Sequence, residues 1–402
     1  MTSFDTSPTL TAWRALLAVA VVFVMLATTG WSAVSHQHSD GPRELALAAW
    51  ARDRIAGRSL PEADAPAYRL AHFFATLTSG QQVELAGRYP SVVGNLNGAP
   101  VTLRYHANRV ALRQAVAVEK ARAHDEKLSP DGRDEAGKRL DRFRSMLAGR
   151  RQILAFDPSG KGRAAEVFGS LDRAARVSVV VPGVDTHLLT LERSERVHTA
   201  PVGMAKSLYG AERTASPGTR TAVIAWADYT APAGLGMDAA LGGLAADGAV
   251  RLNAMVRALP GASKVSLFCH SYGSVVCGVA AHRAPDRVAD IAVAGSPGMR
   301  AANAGQLETD ARIWATRDGD DWIGEVPHLE FGGIGHGADP VDPAFGSRIV
   351  SAAGAAGHSG YFEPGTESLD NFAAIGVGAY GSVSCASADS ACHSGISGER
   401  GG

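Results

Sequence analysis

The spacing of apolar positions divides the chain into three textures. Residues 15–34 are apolar and carry no charge, and a helix of that length spans a bilayer. From 36 to 150 apolar residues recur at three and four residue steps, as in Leu103, Ala107 and Val110, then Leu140, Phe143 and Leu147, which predicts helices. Turn-rich breaks at 90–100 and at Ser129-Pro130-Asp131-Gly132 divide this region into several helices, and no strand signal competes. After 150 short apolar runs alternate with glycines and amphipathic segments, the pattern of interleaved strands and helices.

Eight strands are predicted in that last part: 152–156, 164–168, 177–181, 221–226, 265–268, 291–294, 313–316 and 348–351. Only Pro158-Ser159-Gly160-Lys161-Gly162 lies at the turn between the first two, and so short a polar turn cannot carry a parallel crossover. Those two pair antiparallel. The others leave room for helices between them and are mostly parallel. Beyond Gly381 the composition is Ser/Ala/Gly with little apolar content, which predicts a poorly ordered tail. The organisation expected is a membrane or signal segment at 1–35, a helical cap or stalk without chemistry of its own at 36–150, an α/β domain at 151–382 and a flexible tail at 383–402.

Composition narrows the class. With 402 residues of which 46% are hydrophobic, the chain can fill a sizeable core. A formal net charge of -1 leaves no footprint for nucleic acid, and the basic residues of 138–151 are interrupted by acids, as on a solvated helix face. Arg14 before the apolar run favours a cytoplasmic amino end. Ala33-Val34-Ser35 has the small residues of a cleavage site, but the run exceeds a usual signal h-region, so an uncleaved anchor is favoured over a signal peptide. Either way the rest of the chain is expected outside the cytoplasm. Disulfides persist there. Cys385 and Cys392 close a short loop where a bridge is plausible, whereas Cys269 and Cys277 are either bonded or two small buried hydrophobes. No cysteine pair has zinc-ligand spacing and the thirteen histidines are scattered, so neither metal nor cofactor is expected.

Chemistry concentrates at Cys269-His270-Ser271-Tyr272-Gly273, between an apolar run and a helical stretch. Strand, sharp turn and helix with serine at the apex is the nucleophile-elbow arrangement, G-x-S-x-G, here with cysteine for the first glycine. A serine hydroxyl needs a base. His358 follows the last strand, in the chain order Ser, acid, His, with His336 as its main rival and His328 a third histidine in that stretch. The carboxylate that orients the base is expected after the seventh strand, where Asp318, Asp320 and Asp321 lie; Asp321 is preferred and Asp320 is close behind. Oxyanion donors are expected from the backbone of Tyr272 and, in Pro182-Gly183-Val184-Asp185-Thr186, of Val184. Ser296 and Ser359 do not sit between a strand and a helix in the elbow pattern.

Pro182-Gly183-Val184-Asp185-Thr186, His270-Ser271-Tyr272-Gly273-Ser274, Gly295-Ser296-Pro297-Gly298, His336-Gly337-Ala338-Asp339-Pro340 and Gly357-His358-Ser359-Gly360-Tyr361-Phe362 together resemble the actinobacterial α/β-hydrolase family called DUF1023. Val93-Gly94-Asn95-Leu96-Asn97-Gly98 with Ala107-Asn108-Arg109 resembles the helical segment before its core, so the likeness covers roughly 70–380. It implies an α/β-hydrolase fold and a triad of Ser271, His358 and Asp320 or Asp321, with no settled substrate. The expectation is a serine hydrolase acting on a small-molecule or lipid ester, attached to the membrane through its N-terminal helix or secreted. A non-catalytic cell-surface scaffold on the same fold and an acyltransferase are the alternatives.

Overall fold

Helices fill the first third of what the computed structural model describes, residues 42–387, 389 and 392–396. The apolar run at 15–34 lies outside the described residues, and among those described no helix is long and apolar enough to cross a membrane. Helices α1 (Pro42–Arg52), α2 (Ala67–Ala75), α3 (Ser79–Arg88), α4 (Pro90–Val93), α5 (Val101–Arg122) and α6 (Pro130–Leu147) follow one another. Local sequence explains several starts. Thr78 and Gln81 close a capping box on α3, and Ser129 accepts from Gly132 N–H with Pro130 in the first turn of α6.

Two findings depart from the helical expectation. A small antiparallel hairpin, Arg54–Ile55 with Arg58–Ser59, follows α1 where no strand was expected. Strands of two residues have no alternation for a periodicity reading to detect. Second, the helices pack against the sheet as well as against one another. Trp50, Phe74, Leu85, Val93 and Leu103 make a local core, but Leu112 of α5 and Phe143 and Met146 of α6 share another with Ile153, Phe156 and Ala164 of the sheet. Part of the apolar surface of α5 and α6 is covered by that sheet edge.

The sheet has the eight expected strands: β1 (Gln152–Asp157), β2 (Arg163–Gly169), β3 (Arg176–Val181), β4 (Thr221–Ala227), β5 (Lys264–His270), β6 (Val288–Ala294), β7 (Arg312–Thr316) and β8 (Arg348–Ile349). Their order is β1-β2-β4-β3-β5-β6-β7-β8. β1 pairs antiparallel with β2, and β2 with β4; from β4 to β8 every pair is parallel. Side chains alternate between two cores, Val179, Val181, Leu267 and Cys269 facing one and Val180 and Phe268 the other. Helices α8 (Gly243–Arg257) and α9 (Tyr272–Ala281) cover the first face; α7 (Pro201–Ala215) and α10 (Glu367–Val377) cover the second. Strands buried on both faces read as continuous apolar runs, which is why they were legible.

Both cysteine pairs, Cys269–Cys277 and Cys385–Cys392, are bonded. The described part of the tail is not loose. Val383 and Cys392 are buried, and Arg348 donates to the carbonyls of Cys392 at 2.6 Å and Ser394 at 2.7 Å. A disulfide and hydrogen bonds to β8 and α10 hold a segment whose apolar content alone could not.

Candidate active site

β5 ends at the middle of the sheet, where β3 on one side and β6 on the other have already been paired. Ser271 comes next, with φ 54° and ψ -128°, and its backbone turns directly into α9. A non-glycine residue held at positive φ stores strain, which close packing around it must sustain. Two glycines permit that packing. A Cβ on Gly273 would lie 2.2 Å from Val181 O, and one on Gly183 would lie 2.7 Å from Ser271 Cβ. The place of the first elbow glycine is taken by Cys269, whose side chain turns into the core under α9 and bonds Cys277.

Loops after β7 and β8 bring the other groups to the serine. His358 Nε2 lies 2.9 Å from Ser271 Oγ, placed to take its proton. The other ring nitrogen, Nδ1, donates to Asp321 Oδ1 at 2.9 Å and Oδ2 at 3.1 Å. Asp321 also accepts from Tyr361 Oη at 2.5 Å and Ile323 N–H at 2.9 Å. Burial pushes the Asp321 carboxyl up, but the bonds from His358, Tyr361 and Ile323 outweigh it and hold the pKa below its usual value. An ionised Asp321 keeps the Nδ1–H tautomer of His358, leaving Nε2 as the acceptor.

Supporting contacts fix this geometry. His270 Nε2–H donates to the backbone carbonyl of His358 at 2.6 Å. Burial, then the adjacent His358, lower the His270 pKa to about 4, so it stays a neutral donor at ordinary pH. Asp318 accepts from Gly357 N–H at 2.8 Å, and its own N–H donates to Tyr361 Oη at 3.1 Å. Gly295, at φ 54°, leaves space for the carboxylate: a Cβ there would lie 2.7 Å from Asp321 Oδ2 and 3.1 Å from His358 Nδ1. Trp322 sets its exposed ring 4.7 Å from the imidazole of His358.

The remaining sequence candidates fall elsewhere. Asp320, one residue from Asp321, is exposed, and His358 Nδ1 bonds Asp321 instead. His336 donates from Nε2 to Ala239 O at 2.6 Å and packs edge-on against Tyr272, and His328 lies 3.6 Å from Asp339. Ser296 is buried against the backbone of Gly298. Asp318, one of the three acids expected after the seventh strand, takes a supporting place instead, and the sequence reading assigns no site role to Tyr361, Gly295 or His270. Tyr361 and Gly295 lie within motifs already recognised, so position in the motif was the one available signal.

Tyr272, the first residue of α9, directly follows the serine, and Val184 follows Gly183, whose backbone packs against Ser271. Among the described residues neither amide has a hydrogen-bond acceptor. Tyr229 holds that loop by donating to Pro182 O at 2.6 Å and Gly183 O at 3.3 Å. Asp185, itself at φ 56°, donates through its N–H to Pro232 O and accepts from Gly234 N–H, each at 2.8 Å. An amide directly after a serine paired with an imidazole, with a second on the loop packed against that serine, suits a tetrahedral oxyanion.

The model of the alpha/beta hydrolase family matches residues 157–331, which include Ser271 and Asp321 and end before His358. The chain has the alpha/beta hydrolase fold. An uncharacterised protein of Mycobacterium tuberculosis, in strains CDC 1551 and H37Rv, is 27% identical over 365 residues, or 76% of this chain and 55% of its own length. The chain thus spans about half the length of the curated relatives it matches. Among solved structures it is similar to dienelactone hydrolase from Anabaena variabilis, with 16% identity, TM-score 0.36 and coverage of 56% of this chain and 94% of that one. It is also similar to Est1E from Butyrivibrio proteoclasticus, with 10% identity, TM-score 0.34 and coverage of 57% and 99%.

Proposed function

We propose that the chain is an exported serine hydrolase that cleaves ester-type substrates through Ser271, His358 and Asp321. The reading is carried by one observation, the hydrogen-bonded chain from Asp321 through both nitrogens of His358 to Ser271 Oγ. His358 Nε2 takes the hydroxyl proton as Oγ attacks the carbonyl carbon, and the oxyanion forms towards the amides of Tyr272 and Val184. The imidazolium, stabilised by Asp321, returns its proton to the departing alkoxide. Water activated by the same imidazole then attacks the acyl-enzyme and frees Ser271.

The motif resemblance to the DUF1023 family supports the same triad and leaves the substrate open. Export is supported by two bonded cysteine pairs and by the uncharged run at 15–34, which would anchor the chain or direct its secretion.

Ser271→Ala tests the reading. The variant is expected to lose fluorophosphonate labelling and to hydrolyse p-nitrophenyl butyrate at least about 1,000-fold more slowly than wild type at an unchanged melting temperature. Equal labelling and turnover in the two proteins would remove the proposal.

A further inference from the structure

Two loops lie near the serine, and each exposes several large apolar side chains. The first runs from β4 to α8, residues 228–242; the second follows β7, residues 322–337. Of thirteen large apolar side chains exposed among the described residues, seven belong to these loops: Leu235, Met237 and Leu241 on one, and Trp322, Leu329, Phe331 and Ile334 on the other. Trp322 continues the strip to the His358 ring. So much apolar surface gathered in one place marks an interaction site rather than ordinary surface variation.

The loops form one structure fastened to the reaction centre. Leu241 and Ile334 pair as an antiparallel bridge. Near one end, Gly234 N–H donates to Asp185, the residue after the Val184 amide; at the other, Leu241 O accepts from Tyr272 Oη at 3.1 Å. The second loop carries the hairpin Glu330–Phe331 with Ile334–Gly335, turning through Gly332 at φ 60° and Gly333 at φ 84°. Positive φ at both central residues makes a narrow two-residue turn, beside which Phe331 stands 89% exposed.

Charge decides what fits this tip. Residues 228–242 and 322–337 contain no Lys or Arg and carry Asp228, Asp238, Glu325 and Glu330; Asp228 is paired with Arg251, and Arg317, just before the second loop, is paired with Asp339. Arg300 reaches the hairpin base, but its charge is paired with Glu330 at 2.6 Å and its Nη1 donates to Gly335 O. An anionic membrane surface attracts basic segments, so this strip is unsuited to one. A protruding apolar hairpin flanked by carboxylates suits insertion into a fluid, uncharged acyl phase.

We propose that the two loops dock the chain on an uncharged or zwitterionic lipid phase and admit long-chain acyl esters from it to Ser271. The substrate half of this rests on the serine-hydrolase reading; the docking half does not. Docking is tested on the full chain with Phe331→Cys carrying an environment-sensitive dye, and with Val250→Cys, exposed on α8, as control. With phosphatidylcholine vesicles the label at 331 is expected to shift to the blue and gain at least threefold in emission, while that at 250 stays unchanged. An unchanged label at 331, whether or not the chain sediments with the vesicles, overturns docking, as does a response to phosphatidylglycerol alone.

Delivery is tested separately. Leu329→Ser with Phe331→Ser is expected to slow hydrolysis of vesicle-borne p-nitrophenyl palmitate at least tenfold relative to monomeric p-nitrophenyl butyrate. An unchanged ratio overturns delivery. If the label at 331 responds but Ser271 neither reacts with fluorophosphonate nor turns over ester, the hydrolase reading fails while docking stands.

Discussion

At the scale of single residues, the geometry around Asp321 depends on two neighbours outside the proposed triad. Gly295→Ala would press a methyl group to within 2.7 Å of Asp321 Oδ2, and the carboxylate and imidazole would have to separate. Turnover of p-nitrophenyl butyrate is expected to fall about 100-fold or more, since small misplacements of catalytic groups have effects of that size. Wild-type turnover in this variant would show that the Asp321–His358 contact is dispensable. Tyr361→Phe is milder: it removes one of the donors that hold the Asp321 pKa down. A lost hydrogen bond of about 1 kcal/mol corresponds to a roughly fivefold drop in kcat, with the acid limb of the pH–rate profile displaced upwards. A profile that does not move would exclude Tyr361 from this role.

Elements make the elbow possible. β5 and α9 meet at a strained serine, and the Cys269–Cys277 bond ties the last turn of the strand to the second turn of the helix across a sequence separation of 8. In the chain-entropy description a loop that short contributes about 2.5 kcal/mol by restricting the unfolded state. Cys269→Gly with Cys277→Ala restores the usual elbow glycine and removes the bond. Stability to urea should fall by about that amount, while Ser271 keeps its fluorophosphonate reactivity. Lost labelling in a folded variant would mean that the bond shapes the elbow itself. Neither cysteine announced its partner in the sequence, because eight residues of separation suit a bridge and two buried hydrophobes equally well.

For the molecule as a whole, pH should act through a group remote from the triad. Glu212 of α7 is buried where α7, β3 and α10 meet, accepts from Ser178 and is pushed by burial from 4.5 up to about 8. A carboxyl whose pKa rises on folding holds its proton more tightly in the native state, so its contribution is complete below the unfolded value and lost as pH rises through the folded one. Native stability should therefore decline between about pH 4.5 and about pH 8. Glu212→Gln should flatten that slope, as urea unfolding at pH 5, 6.5 and 8 would measure. An equally steep decline in the variant would assign the slope to other groups.

Local patterning alone determined the eight strands, the antiparallel hairpin at the start of the sheet and the elbow at Ser271. Runs buried on both faces and a serine between strand and helix are written in consecutive residues. Other assignments depended on folding. The sequence prefers Asp321 to its neighbour Asp320 only narrowly; the turn after β7 buries the first under His358 and leaves the second in water. His358 and His336 likewise separate only when the loop after β8 meets the end of β5, and Gly295 gains its role because β6 ends beside Asp321. Apolar residues at 235–241 and 329–334 become one strip because Leu241 and Ile334, far apart in the chain, pair across the opening of the site. Contacts between distant segments leave no period in the sequence, so tertiary structure alone decided them.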